Sequence, residues 1–236
     1  MARREEIAAR LASVRGRIAA GCAAAGRDPD DVTLVVVTKT FPAGDVGILA
    51  ELGVHDVGEN RDQEAAPKAA DCEGIDVRWH FIGQLQTNKA KSVTRYAHAV
   101  HSVDRPALVA ALGRGARAAE RDVGCFLQVS LDGDPTRGGA LAQDLPELAD
   151  AAAAEPGLRL LGLMAVAPMD VDPYRAFAVL PDLSERLRRA HPDARSVSAG
   201  MSGDLEAALA CGATHLRVGS AVLGQRPPLG YRRNGV

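Results

Sequence analysis

Aromatic residues are scarce in this sequence, and so are cysteines and long apolar runs. Phe, Trp and Tyr make up 3% of the 236 residues, and the four cysteines lie far apart, without a CxxC pair or a Cys/His metal spacing. This spacing excludes a disulfide-stapled scaffold and a zinc-finger type of site, and it predicts buried thiols in a reducing compartment. No apolar stretch approaches the roughly 20 residues of a membrane-spanning helix.

An excess of one charge is also missing. Lys and Arg total 28 against 30 for Asp and Glu, which gives a net charge of −2. A nearly neutral chain has no overall field that attracts nucleic acid or an anionic membrane. The first residues, MARREEIAARLASVRGRIAAGC, are charged throughout and lack the apolar core of a signal peptide. We therefore expect a cytoplasmic protein that binds neither nucleic acid nor membrane.

Short apolar runs alternate regularly with longer segments of helical spacing. Ile7, Leu11, Val14 and Ile18 predict an amphipathic helix within residues 1–26. Eight candidate strands follow, at a mean interval close to the ~30 residues of one βα unit. They are residues 33–37, 54–57, 79–82, 99–102, 125–130, 158–164, 196–198 and 214–218.

This alternation predicts an α/β protein with a parallel sheet. Eight units in a chain of 236 residues match a closed (β/α)8 barrel of the TIM type better than an open sheet. No linker or low-complexity tract marks a second domain. We expect one domain over residues 1–236, in which an extra N-terminal helix (1–26) precedes the barrel and a surface tail (227–236) follows it.

The first predicted strand leads directly to Lys39. Val35, Val36 and Val37 are consecutive β-branched residues, which suit a strand buried on both faces of a parallel sheet. Polar groups at the carboxyl ends of such strands point into the ligand-binding crevice. A lysine there is partly removed from water, which favours the neutral amine that forms a Schiff base with a carbonyl. The alternative is a lysine that only marks the strand end and extends to solvent.

Two late segments combine glycines with hydroxyl-bearing side chains. One is SAGMSGD at residues 198–204, and the other is RVGS at residues 217–220, after the eighth predicted strand. In barrels, the loops after strands seven and eight commonly bind phosphate through backbone N–H groups and a helix N-terminus. Each segment alone is also explained by a turn with a helix cap. Together they favour a phosphate site.

Other polar residues near strand ends are ambiguous. His80 lies within the apolar segment WHFIGQ, where a histidine is more often hydrogen-bonded and structural than catalytic. Asp170 and Asp172 form a close pair of carboxylates, but nothing around them supports a metal site. The sequence predicts no bound metal.

Eight distinctive sequence motifs follow one another along the chain. They are VVVTKT, GENRDQEAAPK, WHFIGQLQTNKAK, HSVDR, LQVSLDGDPTRGG, GLMAVAP, SAGMSGDL and THLRVGSAVLGQR, which together extend from about residue 34 to residue 226. This series resembles the family of pyridoxal phosphate homeostasis proteins. The resemblance implies a single-domain barrel, similar to the N-terminal domain of alanine racemase, that binds pyridoxal 5′-phosphate (PLP) and has no established catalytic activity.

The resemblance also implies roles for individual residues. Lys39 would hold the aldehyde of PLP as a Schiff base, Asn60 would line the ring pocket, and Arg217 would lie near the pyridine nitrogen or the phosphate. The other cofactor-binding residues would come from the two glycine-rich loops, with Ser198 or Ser202, Gly219 and Ser220 at the phosphate and Met201 as a further contact.

Arg137 departs from the family pattern. Many members have a lysine at this position of LQVSLDGDPTRGG. Arginine cannot form an imine at neutral pH. The resemblance therefore does not imply that residue 137 of this chain makes the accessory cofactor contact that a lysine could make there.

The predicted function is a carrier or buffer that holds PLP reversibly in intracellular PLP homeostasis, without turnover and with no catalytic residue. A racemase needs a second acid–base group opposite Lys39, and the two-domain racemases obtain it from an appended β-domain and a partner subunit, which we do not expect here. Arg217 near the ring nitrogen would also weaken the electron-sink character of the ring.

Two enzymatic alternatives stay open from the sequence. One is a low-activity PLP-dependent amino-acid racemase that uses Lys39 with water, His80 or Ser102. The other is a Schiff-base aldolase that acts on a sugar phosphate. The predicted partners are PLP and PLP-dependent apo-enzymes, and a monomer is favoured over a dimer.

Overall fold

The computed structural model describes residues 2–134 and 137–225, in which eight parallel strands close into one barrel. The strands are β1 (Thr33–Val37), β2 (Asp56–Glu59), β3 (Arg78–Phe81), β4 (Ala97–Val103), β5 (Val123–Gln128), β6 (Leu158–Met164), β7 (Ser196–Ser198) and β8 (His215–Val218). Each strand pairs with its neighbours in sequence, and β8 closes the barrel against β1. The predicted TIM-type barrel is confirmed, whereas the predicted tail at residues 227–236 lies outside the described residues.

Helices surround the barrel. They are α1 (Ala2–Ala24), α2 (Ala43–Glu51), α3 (Asp62–Asp71), α4 (Ala90–Val93), α5 (Pro106–Ala118), α6 (Leu145–Ala154), α7 (Pro173–Phe177), α8 (Leu180–Ala190), α9 (Leu205–Ala210) and α10 (Ser220–Leu223). Helix α1 is the extra N-terminal helix that the apolar spacing predicts. Across residues 2–134 and 137–225, none of the helices is both long and apolar enough to cross a membrane.

The bounds of several segments differ from the sequence-based prediction. The helical pattern of residues 174–190 is divided into α7 and α8, because Pro181 has no N–H to donate to the carbonyl of Phe177 four residues earlier. The second strand begins two residues later than its apolar pattern indicates, at Asp56. Asp56, the first residue of β2, is a buried carboxylate.

The strands divide the interior into two regions. Successive side chains on a strand point to opposite faces, and the outward ones, such as Val36, Val57 and Phe81, pack against the helices in the main hydrophobic core. A separate, smaller cluster of Ala99, Phe126 and Met164 lies on the opposite face of the strands. The inside of the barrel therefore contains little apolar volume, and polar side chains occupy much of the rest.

Candidate functional site

A cavity of about 230 Å³ opens where the carboxyl ends of β1, β3, β7 and β8 meet. Its apolar wall consists of Val37, Phe41, Ile82 and Met201. Its polar and glycine-rich wall consists of Lys39, Ser202, Gly203, Arg217, Gly219, Ser220 and Gly224. Ligands bind at this end of TIM-type barrels, and the volume suits a small aromatic molecule better than a dinucleotide.

Lys39 lies in this cavity because of the two-residue period of β1. Val35 and Val37 point into the barrel, and Lys39 continues the same face two residues beyond the strand. The preceding residue, Thr38, is fixed by its hydroxyl, which donates to Glu59 at 2.7 Å, and by its carbonyl, which accepts from Lys68 at 2.9 Å. Of the four lysines at positions 39, 68, 89 and 91, Lys39 is the one in the cavity wall.

The glycine-rich loops form the opposite part of the cavity wall. The hydroxyl of Ser220 donates to that of Ser202 at 3.4 Å, and the backbone N–H of Ala221 donates to the Ser202 hydroxyl at the same distance. A Cβ on Gly219 would lie 3.3 Å from the Cβ and the carbonyl of Val37, so glycine lets this loop pack tightly against β1. The loops offer hydroxyl and N–H donors for a small anion.

Helix α1 fixes both of these loops. Arg17 binds both carboxylate oxygens of Glu206, at 2.7 and 2.8 Å, and donates to the carbonyl of Ser202 at 3.0 Å. Arg3 donates to the carbonyl of Leu223, at the end of α10, at 3.1 Å. The extra helix is therefore part of the support of the site, a role that its amphipathic pattern alone did not indicate.

Arg217 is a buried cation next to the cavity. Its Nη1 donates to the hydroxyl of Ser198 at 2.6 Å, and its Nη2 donates to the carbonyl of Ala165 at 2.9 Å. Burial lowers the pKa of Arg217 to about 10, although the charge of Asp204 opposes this effect, so the guanidinium stays charged at neutral pH. Both of these acceptors are neutral, so the cavity presents a positive charge to a ligand.

Four more polar residues continue from Arg217 through the barrel interior. The Ser198 hydroxyl lies 2.8 Å from Nδ1 of His101, Nε2 of His101 lies 2.8 Å from Nδ1 of His80, and Nε2 of His80 lies 2.8 Å from the carboxylate of Asp56. We call Asp56, His80, His101 and Ser198 the interior chain. Sequence reasoning did not find it, although polar residues alternate with apolar ones in β3, β7 and β8, which is the signal of a polar inner face.

The structure thus brings together six of the eight predicted cofactor-binding residues: Lys39, Met201, Ser202, Arg217, Gly219 and Ser220. Ser198 lies beneath the cavity, where its hydroxyl contacts Arg217 and His101. Asn60 is half-buried just beyond β2, with its backbone against Gly83, and does not belong to the cavity wall. The individual roles of all eight residues stay predictions.

The interior chain is electrostatically ordered. Burial lowers the pKa of His101 well below its usual value. Burial favours a raised pKa for Asp56, but hydrogen bonds from His80 and Arg78 outweigh it and hold the pKa well below the usual range. The interior chain therefore has the ionised carboxylate of Asp56 at one end and the neutral His101 in the middle. At its other end, Ser198 contacts the guanidinium of Arg217. The described residues contain no group of three or more His, Cys, Asp or Glu side chains that could hold a metal ion.

Arg137 connects two loops at the same end of the barrel. It pairs with Asp132 at 2.8 Å and donates to the carbonyls of Val166 and Ala167 at 3.3 and 2.9 Å. These contacts join the loop after β5 to the loop after β6. Arg137 thus has a structural role that its position in the sequence did not reveal.

The chain is similar in sequence and fold to several named proteins. Residues 12–227 match the family model "Alanine racemase, N-terminal domain". The chain is 43% identical to the pyridoxal phosphate homeostasis protein of Mycobacterium tuberculosis, over 95% of this chain and 94% of that protein. It is also similar to the structure of PipY from Synechococcus elongatus with PLP bound, at 34% identity and a TM-score of 0.78, over 92% of this chain and 100% of that chain. The crystal structure of an unknown protein from Bifidobacterium adolescentis has 31% identity and a TM-score of 0.86, over 94% of this chain and 96% of that chain.

Removal of the Arg17 side chain should loosen the loop that contains Ser202. We expect Arg17→Ala to lower the free energy of unfolding by about 1 kcal/mol, because it removes contacts between α1 and residues 202–206, and to speed amide hydrogen exchange there. Arg4→Ala is the matched control on the same helix, since Arg4 makes an exposed pair with Glu51 that contributes less than about 0.5 kcal/mol. Equal exchange rates in the two variants would contradict the proposed support by α1.

The buried histidines should make stability fall in mild acid. Burial lowers the pKa of His215 to about 4 and that of His101 well below its usual value, whereas a histidine in the unfolded chain has a pKa near 6.5. As the pH falls from 6.5 to 5, the unfolded chain therefore binds up to about two more protons than the folded chain through these two residues, and the lowered pKa of His98 adds to the difference. We expect the free energy of unfolding, measured in urea, to fall by about 3–4 kcal/mol from pH 7 to pH 5.

Two substitutions identify the residues that cause this decrease in the free energy of unfolding. His215→Gln should remove about 1.5–2 kcal/mol of that decrease, which is the contribution of one histidine. His55→Gln, at an exposed histidine, should leave it unchanged. A wild-type stability that is flat between pH 7 and pH 5 would show that these histidines are not neutral in the folded protein.

Proposed function

The chain belongs to the family of pyridoxal phosphate homeostasis proteins, and from this premise we propose that it holds PLP reversibly on Lys39 and acts as a carrier or buffer of the cofactor. The observation that carries the proposal is the cavity at the end of the barrel. One small space there is lined by an amine, a guanidinium and two glycine-rich loops with hydroxyl groups. The amine suits an aldehyde, and the loops suit a phosphate.

PLP supplies an aldehyde carbon that condenses with a primary amine, forming a C=N bond and releasing one water, in a reversible reaction. Lys39 provides the attacking Nζ. The hydroxyl groups of Ser202 and Ser220 would donate hydrogen bonds to the phosphate, and Gly203 and Gly219 would let the backbone approach it closely. The apolar wall, formed by Val37, Phe41, Ile82 and Met201, would pack against the aromatic ring.

The cavity wall favours a carrier over a racemase. Stereochemical inversion requires a second group that takes or gives a proton opposite the lysine. Among the described residues in the wall, no His, Tyr, Cys, Asp or Glu accompanies Lys39. His80 and Ser102, which the sequence offered as alternatives, are both buried and lie outside the wall. Arg217 is too basic to exchange protons at neutral pH.

The proposal extends to the cellular setting of the protein. The described cysteines Cys22, Cys72, Cys125 and Cys211 are all free thiols, which is typical of a reducing compartment such as the cytoplasm. We propose that a cytoplasmic monomer delivers PLP to PLP-dependent apo-enzymes. The solvent-open cavity at the barrel end supports direct release of the cofactor, without a second subunit.

Borohydride reduction tests the site of attachment. Reduction of the PLP-treated protein should fix a pyridoxyl group on the peptide that contains Lys39, because this amine lies in the cavity wall. Peptide mass mapping measures the position. Lys39→Ala should remove the label and the yellow colour, whereas Lys91→Ala, at an exposed lysine, should keep both. A label on residue 68, 89 or 91, or none at all, would refute the assignment.

Deuterium exchange at the α-carbon of alanine tests the absence of turnover. We expect the PLP-loaded protein to exchange this hydrogen far more slowly than ordinary enzymes turn over, which is on the order of 10 s⁻¹. The physical reason is the missing second acid–base group. Nuclear magnetic resonance of the alanine signal measures the rate, with free PLP as the control. Exchange at enzymatic rates would favour the racemase instead.

A further inference from the structure

The interior chain crosses the barrel from one end to the other. Its members and Arg217 lie on five different strands, β2, β3, β4, β7 and β8, and all are at least nine-tenths buried. Asp56 also lines a second cavity at the amino-terminal end of the strands, together with Thr33 and Arg78. The interior chain and Arg217 therefore connect the amino-terminal end of the strands with the candidate PLP cavity at the carboxyl end.

The chemistry of the end groups gives the interior chain a direction. Arginine only donates hydrogen bonds, so the Ser198 oxygen accepts from Arg217. The Asp56 carboxylate is ionised, so it accepts from Nε2–H of His80. A neutral His101 then donates from Nε2 to Nδ1 of His80 and accepts at Nδ1 from the Ser198 hydroxyl. In this arrangement every proton of the chain has an acceptor.

The opposite direction, in which His80 donates to His101 and His101 donates to Ser198, is unfavourable. It would require two protons on His80 and a proton on Nδ1 of His101, so that the Ser198 oxygen accepted from both His101 and Arg217. The Ser198 hydroxyl hydrogen would then have no acceptor among the hydrogen-bond partners found for it in the described residues. An unpaired buried donor is costly. The carboxylate of Asp56, which accepts from His80, and the hydroxyl of Ser198, which needs an acceptor, together select one direction for the interior chain.

The surroundings of the histidines maintain this state. His215 lies 6.5 Å from His80 and 6.4 Å from His101, measured between ring centroids, and burial lowers its pKa to about 4. The ring of Phe126 stacks on His101 at 4.3 Å. Arg78 holds the Asp56 carboxylate from outside through two hydrogen bonds of 2.8 and 2.6 Å. The rings are therefore fixed in position as well as in protonation.

We propose that Asp56, His80, His101 and Ser198 are positioning residues that hold the guanidinium of Arg217 in one orientation toward the PLP ring. This inference rests on the proposed function, since it takes PLP as the ligand. It assigns Ser198 to the support of Arg217 instead of to the phosphate. It also means that a change at Asp56, at the far end of the barrel, alters the environment of the bound ring.

Two substitutions disrupt the hydrogen bonds of the interior chain at different points, and two others serve as controls. Asp56→Asn keeps the size of the side chain but lets an amide donate to His80, which permits the reversed direction. Ser198→Ala removes the acceptor for Arg217. Ser102→Ala removes a buried hydroxyl on β4 that has no hydrogen-bond partner among the described residues, and His98→Gln replaces a neighbouring histidine outside the chain.

The first measurement needs no cofactor. Nitrogen-15 spectra of the histidine rings in the unloaded wild-type protein should show His80 and His101 with the proton on Nε2 and not on Nδ1. In Asp56→Asn, part or all of the population should shift to the Nδ1-protonated form, while the controls should keep the wild-type pattern. A proton on Nδ1 of His101 in the wild type would overturn the direction of the chain.

The second measurement is PLP titration followed by absorbance. Ser198→Ala and Asp56→Asn should weaken PLP affinity about ten-fold, the effect of one lost charge-assisted hydrogen bond, and should shift the absorption maximum of the lysine-bound cofactor. The controls should stay within about two-fold of the wild type. Equal affinity and an equal spectrum in all variants would overturn the positioning role.

The two proposals fail in different ways. If the wild type does not load PLP on Lys39, the proposed function is wrong, and the positioning of Arg217 toward PLP is wrong with it. If the wild type loads normally and Asp56→Asn behaves like Ser102→Ala, the positioning role alone is wrong. Asp56→Asn decides the case if Ser198→Ala fails to fold.

Discussion

The closure of eight strands into a barrel imposes the constraint on which the rest of this structure depends. Successive residues of a strand must point alternately to the helices and into the narrow interior. In β1 this rule places Val35 and Val37 inside and brings Lys39 to the cavity; in β8 it places Arg217 inside between outward-facing Leu216 and Val218. The same alternation therefore determines both the packing of the core and the chemistry of the site.

The interior of this barrel is unusually polar for a packed core. TIM-type barrels commonly fill this space with layers of branched aliphatic side chains, but here the interior chain occupies part of it and the apolar cluster is small. Burial of a guanidinium such as Arg217 is costly unless its donors are paired. The Ser198 hydroxyl and the carbonyl of Ala165 satisfy two of them. Arg217 lines the cavity, where an electron-rich or anionic ligand would compensate for its remaining positive charge.

Long-range contacts supply the rigidity of the site. Arg17 on α1 binds Glu206 and the carbonyl of Ser202, far away in sequence. On the opposite side, the buried pair of Lys68 and Glu59, 2.6 Å apart, fixes the backbone immediately before Lys39. Lys39 and the glycine-rich loops are thus each held by an ion pair that includes a residue of a surrounding helix. This arrangement lets loops, which are intrinsically mobile, present their donors in a defined geometry.

Local patterns in the sequence were sufficient to predict the barrel, the N-terminal helix, Lys39 after the first strand and the two glycine-rich loops. Each of these follows from residues close together in the chain, or from motifs shared with a family. Only the tertiary structure decided that Ser198 supports Arg217, that Arg17 anchors the Ser202 loop and that Asp56, His80 and His101 form one chain. These hydrogen bonds join residues that are 19 to 189 positions apart, and their existence depends on strand register and on the closure of β8 against β1, which no local pattern encodes.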